Sequence, residues 1–270
     1  MENKALVWRR SLMLFLVVAL SCALFLALYH FDNKYTKTAP QPINGVLYVS
    51  KTDWAETPLR YLRQSWRFYA DRLLTPETVT RQGDDYQYLS IGEKTNFAMG
   101  DSRRSPHGNA SYALTLYLPE ETHTYAIELP EIYSSYRFYV NDQLKLQLGL
   151  PDADGYQAKT QCRVITFEAS GKVTLLLAVS DYSWVYSGLV YPPAFGEPMN
   201  TYTLRGLRVG VCLILVTVAL MLAVFSFYIA LRTRRDNHVW LFPLLCVSTA
   251  LFTSYSVVHS ILSLPVQPWY

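Results

Sequence analysis

The chain has 270 residues, 51% of them apolar and 14% aromatic, with a formal net charge of +3. That charge averages unlike parts: residues 32–204 hold 16 Lys+Arg against 19 Asp+Glu, a balance of −3, and the basic excess lies beside three long uncharged stretches. A mildly acidic, Tyr-rich middle excludes a nucleic-acid footprint, and Cys22, Cys162, Cys212 and Cys246 are too scattered for a disulfide framework.

Ser11–Tyr29 is 19 residues without a charge, about 28 Å as a helix against a hydrocarbon core of about 30 Å. Lys4, Arg9 and Arg10 precede it, and Tyr29-His30-Phe31-Asp32 lacks a small-residue cleavage site. An uncleaved anchor over residues 1–31 is therefore favoured over a signal peptide. Residues 32–42, polar with two prolines, read as a linker.

From 43 to 200 the pattern is β. Ile43–Ser50 alternates as a first strand, Trp66, Phe68 and Leu73 mark a second element stopped at Thr75-Pro76, and Tyr86–Ile91 is a short third. Phe97–Asn109 reads as a long loop. Tyr112, Leu114, Leu116 and Leu118 then line one face of a strand ended by Pro119. Thr124–Gly149 is the stretch around which the domain is expected to form: Tyr125, Ile127 and Leu129 alternate, then Tyr136, Phe138 and Val140, then Leu144, Leu146 and Leu148. Asn141-Asp142 separates the last two runs as a two-residue hairpin turn, both residues tolerating left-handed angles. Arg163–Phe167 and Val173–Val179 flank a Ser170-Gly171 turn, the second so apolar that both its faces should be covered. Short strands, frequent turns and no helical period predict an all-β sandwich.

Asp181–Met199 is aromatic and turn-rich. A membrane domain is expected over 205–270, with spans at 207–231 and 239–264; Val209–Leu231 alone is 23 residues without a charge. Arg232, Arg234 and Arg235, with Lys4, Arg9 and Arg10, outnumber Lys34, Lys37, Arg205 and Arg208 on the other side. The N-terminus and the 232–238 loop, which includes Asn237 and His238, are thus expected in the cytoplasm and residues 32–205 outside. Three spans would leave Tyr270 outside with no cytoplasmic domain, the expectation for a truncated chain.

Four stretches together resemble a known family. They are Ser65-Trp66-Arg67-Phe68-Tyr69 with Leu73-Leu74-Thr75-Pro76, then Gly108–Glu120, Leu129–Asp142 and Val179–Pro198. In order and spacing they are similar to the bacterial seven-transmembrane receptors with diverse intracellular signalling modules. The resemblance implies a mainly β, galactose-binding-like jelly roll over 43–200, followed by the first helices of a seven-helix block. It also implies a sensor on a cell membrane, working as a homodimer, with a histidine kinase or diguanylate cyclase output that this chain does not contain. Asp142 stands where the pattern has Gly, and Asp181 where it has Asn.

No catalytic constellation emerges, and no metal or cofactor is expected. The five histidines, His30, His107, His123, His238 and His259, are dispersed, and no Gly-x-Ser-x-Gly elbow or phosphate-cradling loop occurs. Glu120-Glu121, Glu128 and Glu131 read as solvated turn acids rather than a glycosidase pair. His259, inside the last apolar stretch, reads as a helix–helix hydrogen-bonding residue or a proton sensor. For ligand binding the aromatic segment stands out: Tyr182, Trp184, Tyr186 and Tyr191 offer flat faces for a sugar ring, or else close the sandwich at the membrane interface, the preferred reading. Arg103, Arg104 and His107 suit a carboxylate, and Arg137 lies on the hairpin face opposite Phe138. Gly188, Pro192, Pro193 and Gly196 are the expected coupling residues between domain and helix. The expected function is sensing of a small extracytoplasmic ligand, carbohydrate or carboxylate, with membrane lipid the other partner. The alternative is an anchored carbohydrate- or protein-binding module without signalling.

Overall fold

The computed structural model describes residues 2–31, 33–35, 38–81, 85–151, 155–232, 240–262 and 264–265. They fall into two units, Met1–Ala39 and Pro40–Tyr270. The first is the helix α1 (Glu2–Phe31). Beyond Arg9 and Arg10 its residues to Ala27 are uncharged and mostly apolar on every face, the pattern of a span rather than of an amphipathic surface helix. The hydroxyl of Ser21 is satisfied inside the helix, donating to the Val17 carbonyl at 2.8 Å.

The second unit runs, in chain order, β1 (Val46–Tyr48), α2 (Lys51–Glu56), β2 (Leu59–Tyr61), β3 (Trp66–Ala70), α3 (Pro76–Arg81), β4 (Gln87–Leu89), β5 (Gly108–Tyr117) and β6 (His123–Leu129). It continues with β7 (Ser135–Val140), β8 (Gln143–Leu148), β9 (Lys159–Thr160), β10 (Arg163–Ala169), β11 (Lys172–Asp181), β12 (Ala194–Gly196), α4 (Pro198–Arg232), α5 (Leu241–Ile261) and β13 (Leu264–Pro265). One sheet has the order β4-β3-β5-β11-β7-β8, with β1 parallel to the end of β5; the other is β10-β6-β12-β2. Trp66, Phe68, Leu114, Phe138 and Leu177 of the first meet Tyr125, Ile127, Phe167 and Phe195 of the second in one buried core. Removing each such side chain from water contributes about 1.5–3 kcal/mol.

The centre of the larger sheet is the β5–β11 pair, registered over ten positions from Lys172↔Tyr117 to Asp181↔Gly108. Thr124–Gly149, expected at the centre, instead divides: β6 belongs to one sheet, β7 and β8 to the other, and β8 ends its row with Leu144 exposed. Alternation tells which side chains share a face but not which strands are neighbours. The unbroken apolarity of β11 was the better guide. Leu175, Leu177 and Val179 enter the main core, and Leu176 packs with Tyr69, Leu74 and Ala113 on the outer face.

The two-residue turn is present, with Val140 opposite Gln143. The left-handed angle falls on Asn141 (φ +53°) and not on Asp142, so Asp in place of Gly there brings no backbone strain. Asn141 also clamps β11, donating to the Thr174 carbonyl at 2.7 Å and accepting the Thr174 amide at 2.8 Å.

Several short elements differ from the sequence reading. Ser50 caps α2 through a reciprocal bond with Asp53, and Pro76, read as a stop, opens α3 at a position where its missing N–H costs nothing. The turn-rich 181–199 segment contains β12, and α4 begins at Pro198, well before the uncharged run. The helix α5 is shorter than the 239–264 span expected. Small buried residues, Ala219, Ala223, Ser226 and Ala230 of α4 with Cys246 and Ala250 of α5, line these two packed helices. By length and hydropathy α1 and α4 are able to cross a membrane, and α5 carries a shorter apolar stretch, Leu241–Tyr255. Arg234, Arg235, Asn237 and His238 lie outside the described residues, as does the side chain of His259.

Candidate functional site

The first turns of α4 lie on the smaller sheet. Pro198 and Met199 stand beside His123, Thr124 and Tyr125 at the start of β6. Further along, the Arg208 guanidinium reaches Glu128 (Nη1 to Oε2, 2.6 Å) and the Tyr61 hydroxyl (2.5 Å). The helix therefore follows β6 from its His123 end to its Leu129 end. At that second end α5 returns: Gln161 Nε2 donates to the Ile261 carbonyl at 3.0 Å, the Tyr133 hydroxyl bonds to Tyr255, and β13 pairs with β9. One end of the sandwich thus meets the apolar helices. The other, built by Lys51–Trp54, Pro119 and His123, meets only the first turn of α4 and is remote from its apolar part and from α5.

The Arg208–Glu128 junction is enclosed, with the Glu128 side chain only 3% exposed. Cys162 contributes a second donor, its thiol 3.2 Å from Glu128 Oε1. Burial, then the adjacent Glu128 charge, pushes the Cys162 thiol well above the usual cysteine range. Glu128, read from sequence as a solvated turn acid, is instead the buried counter-ion of α4.

Of the sequence-derived ligand residues, Trp184 stacks on Tyr133 (5.9 Å, 24°), so it rests at the helix-facing end. Tyr182 donates to Asn109 Oδ1 at 3.2 Å and meets Tyr156 edge-on; burial pushes the Tyr156 phenol up to about 12. Tyr186 and Tyr191 are exposed. Arg103 is turned back onto Asp101, Arg104 is exposed in the same loop, and Arg137 lies on the outer face of the larger sheet against Gln147. The three arginines are not gathered with the aromatic rings.

His107 does meet this segment, with Nδ1 3.5 Å from Asp181 Oδ1. Asp181 is fully buried and tied on all sides. Its Oδ2 accepts the Ser134 hydroxyl at 2.7 Å, and its Oδ1 accepts the amides of Ser183 (2.9 Å) and Trp184 (3.0 Å). Burial raises its pKa against those bonds. Ser134 also accepts the Gly188 amide at 3.0 Å. Gly188 has φ +79°, and a Cβ there would run into the Tyr112 hydroxyl and the Phe97 ring. Pro192 and Pro193 are buried, the latter accepting the Leu62 amide at 2.9 Å, and Gly196 sits in β12 under the Pro58 carbonyl. These four residues fasten the 181–197 segment to both sheets.

Sequence reasoning did not find the cavity of about 410 Å³ at the remote end. Lys51 and Trp54 of α2, Pro119, His123, Thr124 and Tyr125 of β6 and its entry, and Glu197, Pro198 and Met199 line it. Trp54 is held edge-on to Tyr125 (5.0 Å, 81°), and its indole N–H donates to Glu197 Oε1 at 3.0 Å. Lys51 pairs with Glu121 at 2.6 Å, and this bond holds the Glu121 carboxyl below its ordinary range. The available signal was Trp54 alone in an otherwise polar stretch. Among the described residues no group of three or more His, Cys, Asp or Glu is arranged to hold a metal.

No protein-family model and no curated protein matches the sequence significantly. Among solved structures the chain is similar to a GH2 beta-galacturonidase from Eisenbergiella tayi (11% identity, TM-score 0.36, 52% of this chain and 24% of that one). It is likewise similar to a glycosyl hydrolase family 2 member from Bacteroides cellulosilyticus (12%, TM-score 0.41, 52% and 20%). A putative beta-galactosidase from Bacteroides fragilis shows 16% identity and a TM-score of 0.36 over 51% and 22%. The chain spans less than a quarter of the length of each, and likenesses at these scores carry no argument about its activity.

Proposed function

We propose that this chain is the ligand-binding, sensory portion of a transmembrane signalling receptor, in which an extracytoplasmic jelly-roll-type sandwich passes its occupancy to the membrane helices. The observation that carries the proposal is the course of α4. It is one unbroken helix of 35 residues, about 52 Å long, with its first turns fixed to the sheet by the enclosed Arg208–Glu128 pair and the remainder an apolar segment packed on α5. A displacement of β6 against its neighbours is then a displacement of α4. The energy for it is the difference in ligand affinity between two packings of the sandwich. In this reading the output module, a histidine kinase or diguanylate cyclase, belongs to further sequence, and the basic 232–238 loop faces the cytoplasm.

The test uses the full chain in lipid nanodiscs with spin labels at Glu168→Cys on β10 and Leu231→Cys near the end of α4, on a background free of its own cysteines. Neutral sugars, sugar acids and organic acids are added in turn. A shifted distance distribution with at least one of them supports the receptor. Binding by calorimetry with an unchanged distribution would leave an anchored binding module.

A further inference from the structure

We infer that the cavity at the remote end of the sandwich is the ligand site, and that it takes a neutral, hexose-sized polyol. The inference rests on the sensory reading above and assigns its site. Its volume, about 410 Å³, lies in the range of small-molecule pockets. Its walls are amphipathic in the way a pyranose is. Trp54 and Met199, over the buried Tyr125, present apolar surface to a C–H face, while Lys51, His123 and Glu197 stand around the same space as donors and acceptors for hydroxyls.

Charge argues for a neutral occupant. The Lys51 ammonium is already matched by Glu121, whose other oxygen lies 3.6 Å from His123 Nε2, and Glu197 adds a second carboxylate to the neighbourhood. An added anion would meet two carboxylates with the lysine engaged. Trp54 is also positioned to report occupancy. Its ring packs on Tyr125 and Phe195, and its N–H holds Glu197, whose backbone carbonyl accepts both the amide and the hydroxyl of Thr201 in the first turn of α4. A ring bound on this wall presses on the beginning of the same helix that Arg208 fixes lower down. The Tyr182–Tyr191 segment lies at the opposite end of β5 and β11, away from this cavity.

The test is isothermal calorimetry on the full chain in nanodiscs with glucose, galactose and N-acetylglucosamine, and with glucuronate, galacturonate and citrate as charged comparators. A neutral sugar is expected to bind. Lys51→Ala and His123→Ala should each weaken it about threefold to tenfold, the loss of one hydrogen bond to a neutral partner. Met199→Trp, at a side chain 76% exposed and so harmless to folding, should fill the cavity and abolish binding. Binding that survives Met199→Trp, binding lost with Tyr182→Ala instead, or binding of only the charged compounds would each overturn the assignment while leaving a sensor. Silence with all six compounds would overturn the assignment and count against the sensory reading itself.

Discussion

Glu128 and Arg208 lie 80 positions apart in sequence, and nothing near either residue announces their meeting. Replacing Arg208 by Met would take the guanidinium from the buried Glu128 carboxylate, and breaking this buried pair should cost about 3 kcal/mol. Urea denaturation of the detergent-solubilised chain should show that loss, and Glu128→Gln added to Arg208→Met should recover part of it. Asp181 makes a prediction of opposite character. Its folded pKa is raised, so the native state binds the proton more tightly than the unfolded chain does. That contribution is complete below the ordinary aspartate value of 3.8 and is lost as pH rises through the raised value. Asp181→Asn keeps an oxygen for the Ser183 and Trp184 amides and gains a donor for Ser134. The melting temperature of this variant should therefore vary less between about pH 4 and 7 than that of the native chain. Gly188→Ala puts a methyl group against Tyr112 and Phe97 at a positive φ; a loss of about 2 kcal/mol or more is expected by the same denaturation measurement.

At the scale of elements, long strands were legible and short ones were not. β5 and β11, ten residues each, carry enough alternation or continuous apolarity to be seen. β2 and β12 have three residues, too few for a period, yet they complete the sheet on which α4 rests. The uncharged Val209–Leu231 run marked the apolar part of α4, while its docked beginning, Pro198–Arg208, mixes polar and apolar residues and reads as a connector. Within the candidate site, Trp184 and Gly188 stood out in the sequence, whereas the residues they meet, Tyr133 and Ser134, did not. Neither did the cavity around Trp54, because its walls come from three separated stretches that only the fold brings together. If the docked and apolar parts of α4 act as one rod, Leu207→Pro should break it, removing a backbone hydrogen bond at a cost of about 3 kcal/mol. Hydrogen exchange should then quicken around 203–207 while the sandwich core keeps its protection. Unchanged exchange there would mean that the two parts were already independent.

The larger unit is a β-sandwich whose strand β6 carries the first turns of α4 along its length and whose Leu129 end also receives the exit of α5, with Arg232 closing α4 at the far end of the helix. Everything proposed for signalling needs these two regions on opposite sides of a bilayer. The most direct measurement is thiol labelling of intact cells with a membrane-impermeant maleimide, using chains without Cys22, Cys162, Cys212 and Cys246 and carrying either Glu168→Cys or Arg232→Cys. The first variant should be labelled on intact cells and the second only after permeabilisation. Labelling of both from the same side, or the reverse order, would contradict the account.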